Sequence, residues 1–221
     1  ISTDQMSTKD PALSYKVNIF GSMNLLEFAK IKKIKNFIFA SSEWVYGSFK
    51  NNEIKSIISK IDIEKLDSSY AKTKAIMERV ITSSDKLNYS ILRFGIIYGK
   101  KTSNYSAVES IVAQVKNKSV ITVQSKKTSR SFIHIDDIIS AIICSLKLRG
   151  KYILDVQGPY PVNLEKLIKY TSNFINKRVK IIEKNKKNSS IKLIDSSLSN
   201  KILNFKPKIT IERGISEILK K

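Results

Sequence analysis

Glycine is scarce in this 221-residue sequence: seven residues, at positions 21, 47, 95, 99, 150, 158 and 214. No three of them fall at the G-x-x-G-x-x-G spacing, the turn whose backbone amides close on a dinucleotide pyrophosphate. These residues therefore do not themselves supply that grip. Cysteine occurs once, at Cys144, which excludes an internal disulfide. Set in the apolar run 138–148, it reads as a small core hydrophobe of a reducing compartment. No apolar run reaches the roughly 18 residues of a membrane span, and no signal peptide is visible. A cytoplasmic protein with no membrane partner is expected. The start at Ile1 rather than Met predicts that the natural chain extends further at its N-terminus.

Acidic residues are also few, 19 against 40 basic ones, for a net charge of +21. Only six of the basic residues are arginines, the side chain that reads phosphates and base edges bidentately. The lysines are spread along the whole chain, with no helix-turn-helix, finger or aromatic-basic strand pattern. The surplus reads as a solvated lysine surface and argues against a nucleic-acid partner. Its positive field would still attract anionic ligands such as dinucleotides and sugar diphosphates. The single histidine, His134, precedes Asp136 and Asp137. That spacing, on a strand entering a helix, does not converge three ligands, so no metal is expected. A packed histidine followed by helix-capping carboxylates is expected instead.

What is present is enough apolar residue, 42%, for a packed globule. Asp10-Pro11 predicts a helix start, and Leu13, Val17, Phe20, Leu25, Phe28 and Ile31 recur at helical spacing. Asn36 to Ala40 predicts a buried parallel strand, and residues 48–68 a long loop. Tyr70 to Ile81 predicts a helix, Tyr89 to Phe94 a strand, Val108 to Val115 a helix, and Val120 to Val123 and Phe132 to Ile135 short strands. A helix capped by Asp136 or Asp137 follows, then a strand at Lys151 to Val156 and a helix capped by Asn163 that runs to about Ile175. The remainder predicts a strand at Arg178 to Glu183, a loop over 184–190, and short helices at Ser197 to Leu203 and Ile211 to Leu219. The alternation of strands and helices predicts an α/β fold.

Three stretches carry chemistry. Ser42 stands at a strand end in Ser41-Ser42-Glu43-Trp44-Val45-Tyr46-Gly47, where parallel sheets bind ligands. Tyr70 and Lys74 are one helical turn apart, on one helix face. A free phenol is too weakly acidic to serve as a base near neutrality. A cation beside it favours the phenolate, so Lys74 is expected to tune Tyr70 for proton transfer to and from a sugar hydroxyl. Ser42 would orient the reacting oxygen. A second Y-x-x-x-K, Tyr46 to Lys50, includes Gly47 and leads into a loop, and is expected to be a decoy. Trp44 is expected in core or pocket wall. Arg93, at the strand end in the third stretch, Leu92-Arg93-Phe94-Gly95-Ile96-Ile97-Tyr98-Gly99, is expected to be a structural ion-pair partner.

In this order, the stretches resemble the extended short-chain dehydrogenase/reductase family, the NAD-dependent epimerases and dehydratases of nucleotide sugars. Further matches are Asn18-x-x-Gly21 with its following Ser22-Met23-Asn24-Leu25-Leu26, and the run Arg130-Ser131-Phe132-Ile133-His134-Ile135-Asp136-Asp137. The closing segments Leu203 to Pro207 and Glu212 to Ile215 also match. The resemblance implies a Rossmann-like doubly wound parallel sheet, N-terminally truncated, with a small C-terminal substrate-binding lobe. Residues 1–100 would be the C-terminal part of the NAD(P)-binding domain and residues 101–221 the lobe, from which about 130–156 return to the core.

It further implies Ser42, Tyr70 and Lys74 as the catalytic triad, with Tyr70 and Lys74 also at the NAD or NADP cofactor. Ser42, Glu43 and Arg130 would face the nucleotide-diphosphate sugar, Arg130 at its diphosphate. The intact protein would be a homodimer joined through helices near residues 11–33 and 70–85. Two departures matter. The glycine-rich turn and about two βα units, on the order of 60–75 residues, are not in this sequence. Ile96 stands where many relatives carry a substrate-holding Asn. The expected function is thus a nucleotide-sugar epimerase or ketosugar reductase, the alternative a catalytically silent scaffold. A dehydratase ranks lower, because Glu43-Trp44 keeps one carboxylate of the family's acidic pair.

Overall fold

A computed structural model describes residues 1–50, 53–84, 87–103, 105–187 and 189–220. Residues 51 and 52 of the expected 48–68 loop, Asp85 of the expected dimer helix, and Asn188 of the expected 184–190 loop lie outside these. The chain opens with α1 (Asp4–Lys9) and α2 (Pro11–Tyr15), passes through a π-helical turn at Lys16–Gly21, and continues as α3 (Ser22–Ile31). Asp10 caps α2, its carboxylate accepting from the Leu13 amide at 2.8 Å, with Pro11 behind it. Strand β1 (Phe37–Ser42), the short β2 (Ile54–Lys55), helix α4 (Ser69–Thr82), β3 (Tyr89–Phe94) and β4 (Ile96–Tyr98) follow. Helix α5 (Ala107–Asn117) leads to β5 (Val120–Val123), β6 (Ser129–Arg130), β7 (Phe132–His134), α6 (Ile135–Ser145) and β8 (Lys151–Val156). The chain ends with β9 (Val162–Asn163), α7 (Leu164–Phe174), β10 (Lys180–Glu183), β11 (Leu193–Ile194), α8 (Ser197–Leu203) and α9 (Ile211–Leu219).

The principal sheet is parallel and ordered β1-β3-β8. All six residues of β3 are buried, as a central strand covered on both faces requires. β1 has a mixed pattern with Ala40 exposed, and its far edge is unpaired among the described residues. Helix α4 packs on one face of the sheet, burying Met77 and Ile81 against Phe39 and Ile91. Helix α6 packs Ile138 and Ala141 against Leu92, Leu154 and Val156. The fold is α/β with a Rossmann-like parallel sheet. Crossing β4 and β7, also parallel, the chain enters a second apolar cluster built from α5, α7, α9 and β5, with Leu167 and Val115 at its centre.

Three local outcomes differ from the sequence reading. Helix α6 is capped by His134, whose Nδ1 accepts from the Asp136 amide at 3.3 Å, not by an aspartate. Asp137 instead accepts from the amides of Lys208 and Ile209, at 3.0 and 2.9 Å, and so holds the C-terminal segment. The 48–68 stretch is not wholly loop, because β2 pairs in parallel with β11. The apolar stripe over residues 13–31 is helical as expected but faces outward. Phe20, Leu25, Phe28 and Ile31 are all more than half exposed, while Ser14, Asn18, Leu26 and Ala29 face inward.

Candidate active site

Ser42 ends β1 and starts a 3-10 turn over Glu43–Tyr46, its hydroxyl accepting from the Trp44 amide at 3.3 Å. The turn closes on Gly47 at φ +64°, a conformation that glycine adopts without a Cβ penalty. Helix α4 begins at Ser68, whose hydroxyl accepts from the Ala71 amide and donates to Asp4. This start places Tyr70 in the first turn, buried, with its phenol at Ser42. Lys74 sits one turn on and donates from Nζ to the Ala40 carbonyl at 2.8 Å. Its ammonium lies 5.1 Å from the Phe39 ring centre and 5.8 Å from that of Tyr70. The three residues singled out from sequence therefore stand together at the C-terminal end of β1.

Their electrostatic balance is not the expected one. Burial raises the Tyr70 phenol above its ordinary range, the hydrogen bond from Ser42 pulls the other way, and Asp4 adds to the rise. Burial lowers the Lys74 ammonium. The physical reason is direction: Lys74 spends its proton on a backbone carbonyl, and the phenol faces Ser42. Tyr70 is therefore held in its proton-donating form.

Glu43 is 1% exposed and its Oε1 has no hydrogen-bond partner among the described residues. Burial raises its carboxyl, against the opposing charges of Lys192 and Arg130. Arg130 comes within 4.0 Å of that oxygen through Nε. Its other nitrogens donate to the carbonyls of Ser129 and Ser190, at 2.7 and 2.6 Å, and to the Ser190 hydroxyl at 2.9 Å. Trp44 forms the wall between, edge-on to Tyr70 with ring centres 6.4 Å apart. Sequence reasoning missed Lys192, whose ammonium lies 5.0 Å from the Trp44 ring centre. Nothing local marks it among so many lysines.

Beneath this site runs a buried polar chain. Arg93 donates to both oxygens of Glu78, the shortest contact 2.6 Å, and to the Tyr46 hydroxyl at 2.9 Å. Ser41 donates to Glu78 at 2.5 Å, and Tyr46 donates to Asp155 at 2.8 Å. Arg93 is thus the structural ion-pair partner expected, and Tyr46 is a buried link rather than a site residue. Glu78 follows Tyr70 and Lys74 at the same four-residue interval, so one helix stripe carries both the site residues and the clamp to β1 and β3.

Burial pushes the Asp155 carboxyl up to about 7 from 3.8, against the Tyr46 hydrogen bond and the Arg93 charge. The folded state therefore holds a proton that the unfolded state releases. Stability is fully present below 3.8 and is lost as pH rises through about 7. Asp155→Asn is expected to flatten that decline, read as thermal midpoints across the same pH range.

His134, Asp136 and Glu217 bring ligand atoms within 4.8 Å of one another. The imidazole is already engaged on both sides, by the Asp136 amide at Nδ1 and by Glu217 at 3.4 Å from Nε2. That accounts for its burial as a packed cap.

A model of the NAD dependent epimerase/dehydratase family matches residues 1–153. The UDP-glucuronate 4-epimerase of Thermodesulfobacterium geofontis (strain OPF15) is 26% identical over 216 residues, 95% of this chain and 66% of that protein. The dTDP-D-glucose 4,6-dehydratase of Dictyostelium discoideum is 33% identical over 135 residues, 56% of this chain and 31% of that protein. The chain spans just under two thirds of the length of the first curated relatives it matches. Among solved structures, the Thermus thermophilus UDP-glucose 4-epimerase complexed with NAD superposes with a TM-score of 0.81 at 20% identity, covering 99% of this chain and 75% of that one. RMD from Pseudomonas aeruginosa complexed with NADPH gives 0.87 at 18% identity, covering 99% and 77%. At such identities these likenesses show the fold. No described helix is long and apolar enough to cross a membrane.

Proposed function

The chain belongs to the NAD dependent epimerase/dehydratase family, and from that premise we propose that it carries the reaction centre of an NAD-dependent nucleotide-sugar epimerase. The observation that carries this reading is the convergence of Ser42, Tyr70 and Lys74 at the end of β1. The residues present fit the reacting end of a nicotinamide dinucleotide. Tyr70 and Ser42 form a buried hydroxyl pair, and Lys74 offers an ammonium whose acceptor among the described residues is the Ala40 carbonyl of β1. When bound, an oxidised nicotinamide supplies the hydride acceptor and a positive charge that favours the Tyr70 phenolate.

The chain's own residues do the rest. Ser42 hydrogen-bonds the reacting sugar oxygen and holds it towards the Tyr70 phenol. Tyr70 takes the hydroxyl proton onto its phenolic oxygen as the carbon is oxidised, and returns it once the ketone has been reduced from the other face. Glu43 and Arg130 line the sugar and diphosphate side. On this reading residues 1–100 belong to the cofactor domain and 101–221 to the substrate lobe, except that about 130–156 return to the core, where α6 and β8 join the principal sheet. The outward apolar stripe of α2 and α3 supports a homodimer, since a face of this kind marks an association surface. A cytoplasmic location accords with the single, half-buried Cys144.

The test uses the full gene product with NAD and a UDP-hexose, followed by proton NMR. Formation of the C4 epimer, strictly dependent on the dinucleotide, is expected. Binding of the sugar nucleotide with no change in it would instead favour a silent scaffold.

A further inference from the structure

The buried polar chain beneath the site has one carboxyl group that the reaction does not use. Ser41, Arg93 and Asp155 stand in one row across β1, β3 and β8, so their side chains share a face of the sheet. Asp155 is 0% exposed. Its two carboxyl oxygens lie 2.9 and 2.8 Å from the Tyr46 hydroxyl, their sole donor among the described residues. The charged and titratable groups facing it are Arg93 on β3, Glu78 on α4, and Tyr46 and Glu43 in the turn after β1. On α8 the neutral Ser199 hydroxyl accepts from the Asp155 amide at 2.8 Å.

The row holds one cation for two carboxylates. Arg93 gives Nε and Nη2 to Glu78, and its Nη1 goes to Tyr46. Asp155 therefore has no cation of its own, and a buried, unpaired carboxylate is costly. The chain is balanced when Asp155 carries a proton. Burial and the neighbouring Asp155 keep the Tyr46 phenol protonated as well, so the proton that leaves on titration is the one on Asp155. Its loss leaves a net negative charge facing Glu43 and Glu78. The member free to answer is Tyr46. Arg93 and Asp155 are fixed in strands and Glu78 in a 14-residue helix, whereas Tyr46 ends a four-residue 3-10 turn. That turn starts at Ser42, whose hydroxyl accepts from the Trp44 amide and faces Tyr70.

Resting on the reading of Ser42 and Tyr70 as the reaction site, we infer that Asp155 is a positioning residue whose protonated side chain, acting through Tyr46, holds the turn that presents Ser42 to Tyr70. When the proton is lost, the turn shifts to let water reach the charge, and Ser42 moves from the phenol. The turn is held at low pH and released as pH rises through about 7, where burial places this carboxyl.

Trp44 is the single tryptophan of the chain and lies within the turn, so its fluorescence reads the turn without any ligand. The full gene product is titrated across neutrality. Wild-type emission is expected to shift to the red with a midpoint at about pH 7. The step should vanish in Asp155→Asn, whose neutral amide keeps an acceptor for Tyr46 at every pH. It should vanish also in Tyr46→Phe, while the fall of the thermal midpoint with pH remains there, because Asp155 still titrates. A merely structural carboxyl would not separate these two readouts. Lys192, 5.0 Å from the Trp44 ring centre and lowered by burial to about 8, titrates separately on the same ring, so Lys192→Met should keep the step. With NAD and a UDP-hexose, wild-type kcat should fall by up to about tenfold per pH unit above the midpoint, and Asp155→Asn should lose that descending limb. A wild-type emission that does not change, a step that survives Asp155→Asn or Tyr46→Phe, or one lost in Lys192→Met would overturn the assignment. So would a kcat profile that is the same in Asp155→Asn and the wild type. A fluorescence step in a protein with no turnover at any pH keeps the hold of Asp155 on the turn and removes the nucleotide-sugar reading.

Discussion

A Tyr70→Phe protein is expected to lose about 10²–10⁴-fold in kcat, the range carried by a positioned general acid–base group. KM for the sugar nucleotide should stay nearly constant, because the ring still packs edge-on to Trp44. Stability should fall by no more than about 1 kcal/mol, the net worth of one lost hydrogen bond. The kcat-against-KM split separates lost chemistry from a disturbed pocket. Turnover that survives the change would remove Tyr70 from the reaction. Lys74→Met is a less clean probe, since it also strips the Ala40 carbonyl of its 2.8 Å partner.

The second large effect lies in the fold beneath the site. Arg93→Met strands the Glu78 carboxylate, 4% exposed, with only Ser41 as a remaining donor among the described residues. Breaking a buried pair from one side costs about 3–5 kcal/mol. For a chain of this length that corresponds to a fall of roughly 6–20 °C in Tm. The double variant Glu78→Leu/Arg93→Met removes both charges and should recover most of the loss, since an apolar replacement of a buried pair is often neutral. A thermal melt of the three proteins checks this. Equal destabilisation by the single and double variants would mean that the cost is cavity and packing rather than stranded charge. The clamp also ties α4 to β1, so its loss should displace Tyr70 and Lys74 from Ser42 as well as lower Tm.

The elements legible in the sequence are those whose own residues dictate them. Strands β3 and β8 are short apolar runs with sharp ends, and both occupy the residues expected, Tyr89–Phe94 and Lys151–Val156. Asp10 and Asn163 cap the helices they announce. Two-residue strands such as β2, β6, β9 and β11 exist only through partners far along the chain, so nothing local reports them. Strand β4 is hidden in the same way, its register set by β7.

The α6 cap falls to His134 because the strand leading into that helix aims the imidazole at the first turn. Periodicity over residues 13–31 marks a helix but not the side it presents, because an apolar stripe suits a core and an association face equally well. At the candidate site, the shared helix face of Tyr70 and Lys74 is readable from spacing, and the position of Ser42 from the strand that precedes it. Lys192 is not, since it reaches the Trp44 ring from 150 positions beyond Ser42, held by the Ser129, Arg130 and Ser190 bonds. The coupling of Tyr70 to Lys74 is not readable from spacing either, because a shared helix face does not fix where each side chain donates.

The most direct test of the central claim, that these residues serve reversible hydride transfer at a sugar carbon, is the fate of a single hydrogen. A UDP-hexose deuterated at C4 is incubated with the full gene product and NAD in ordinary water. The deuterium is then located by NMR in the epimerised product. Transfer to and from a nicotinamide predicts that the label stays at C4 of the inverted sugar. Label exchanged into solvent would mean proton abstraction from carbon instead, and would contradict the roles of Ser42, Tyr70 and Lys74 in hydride transfer.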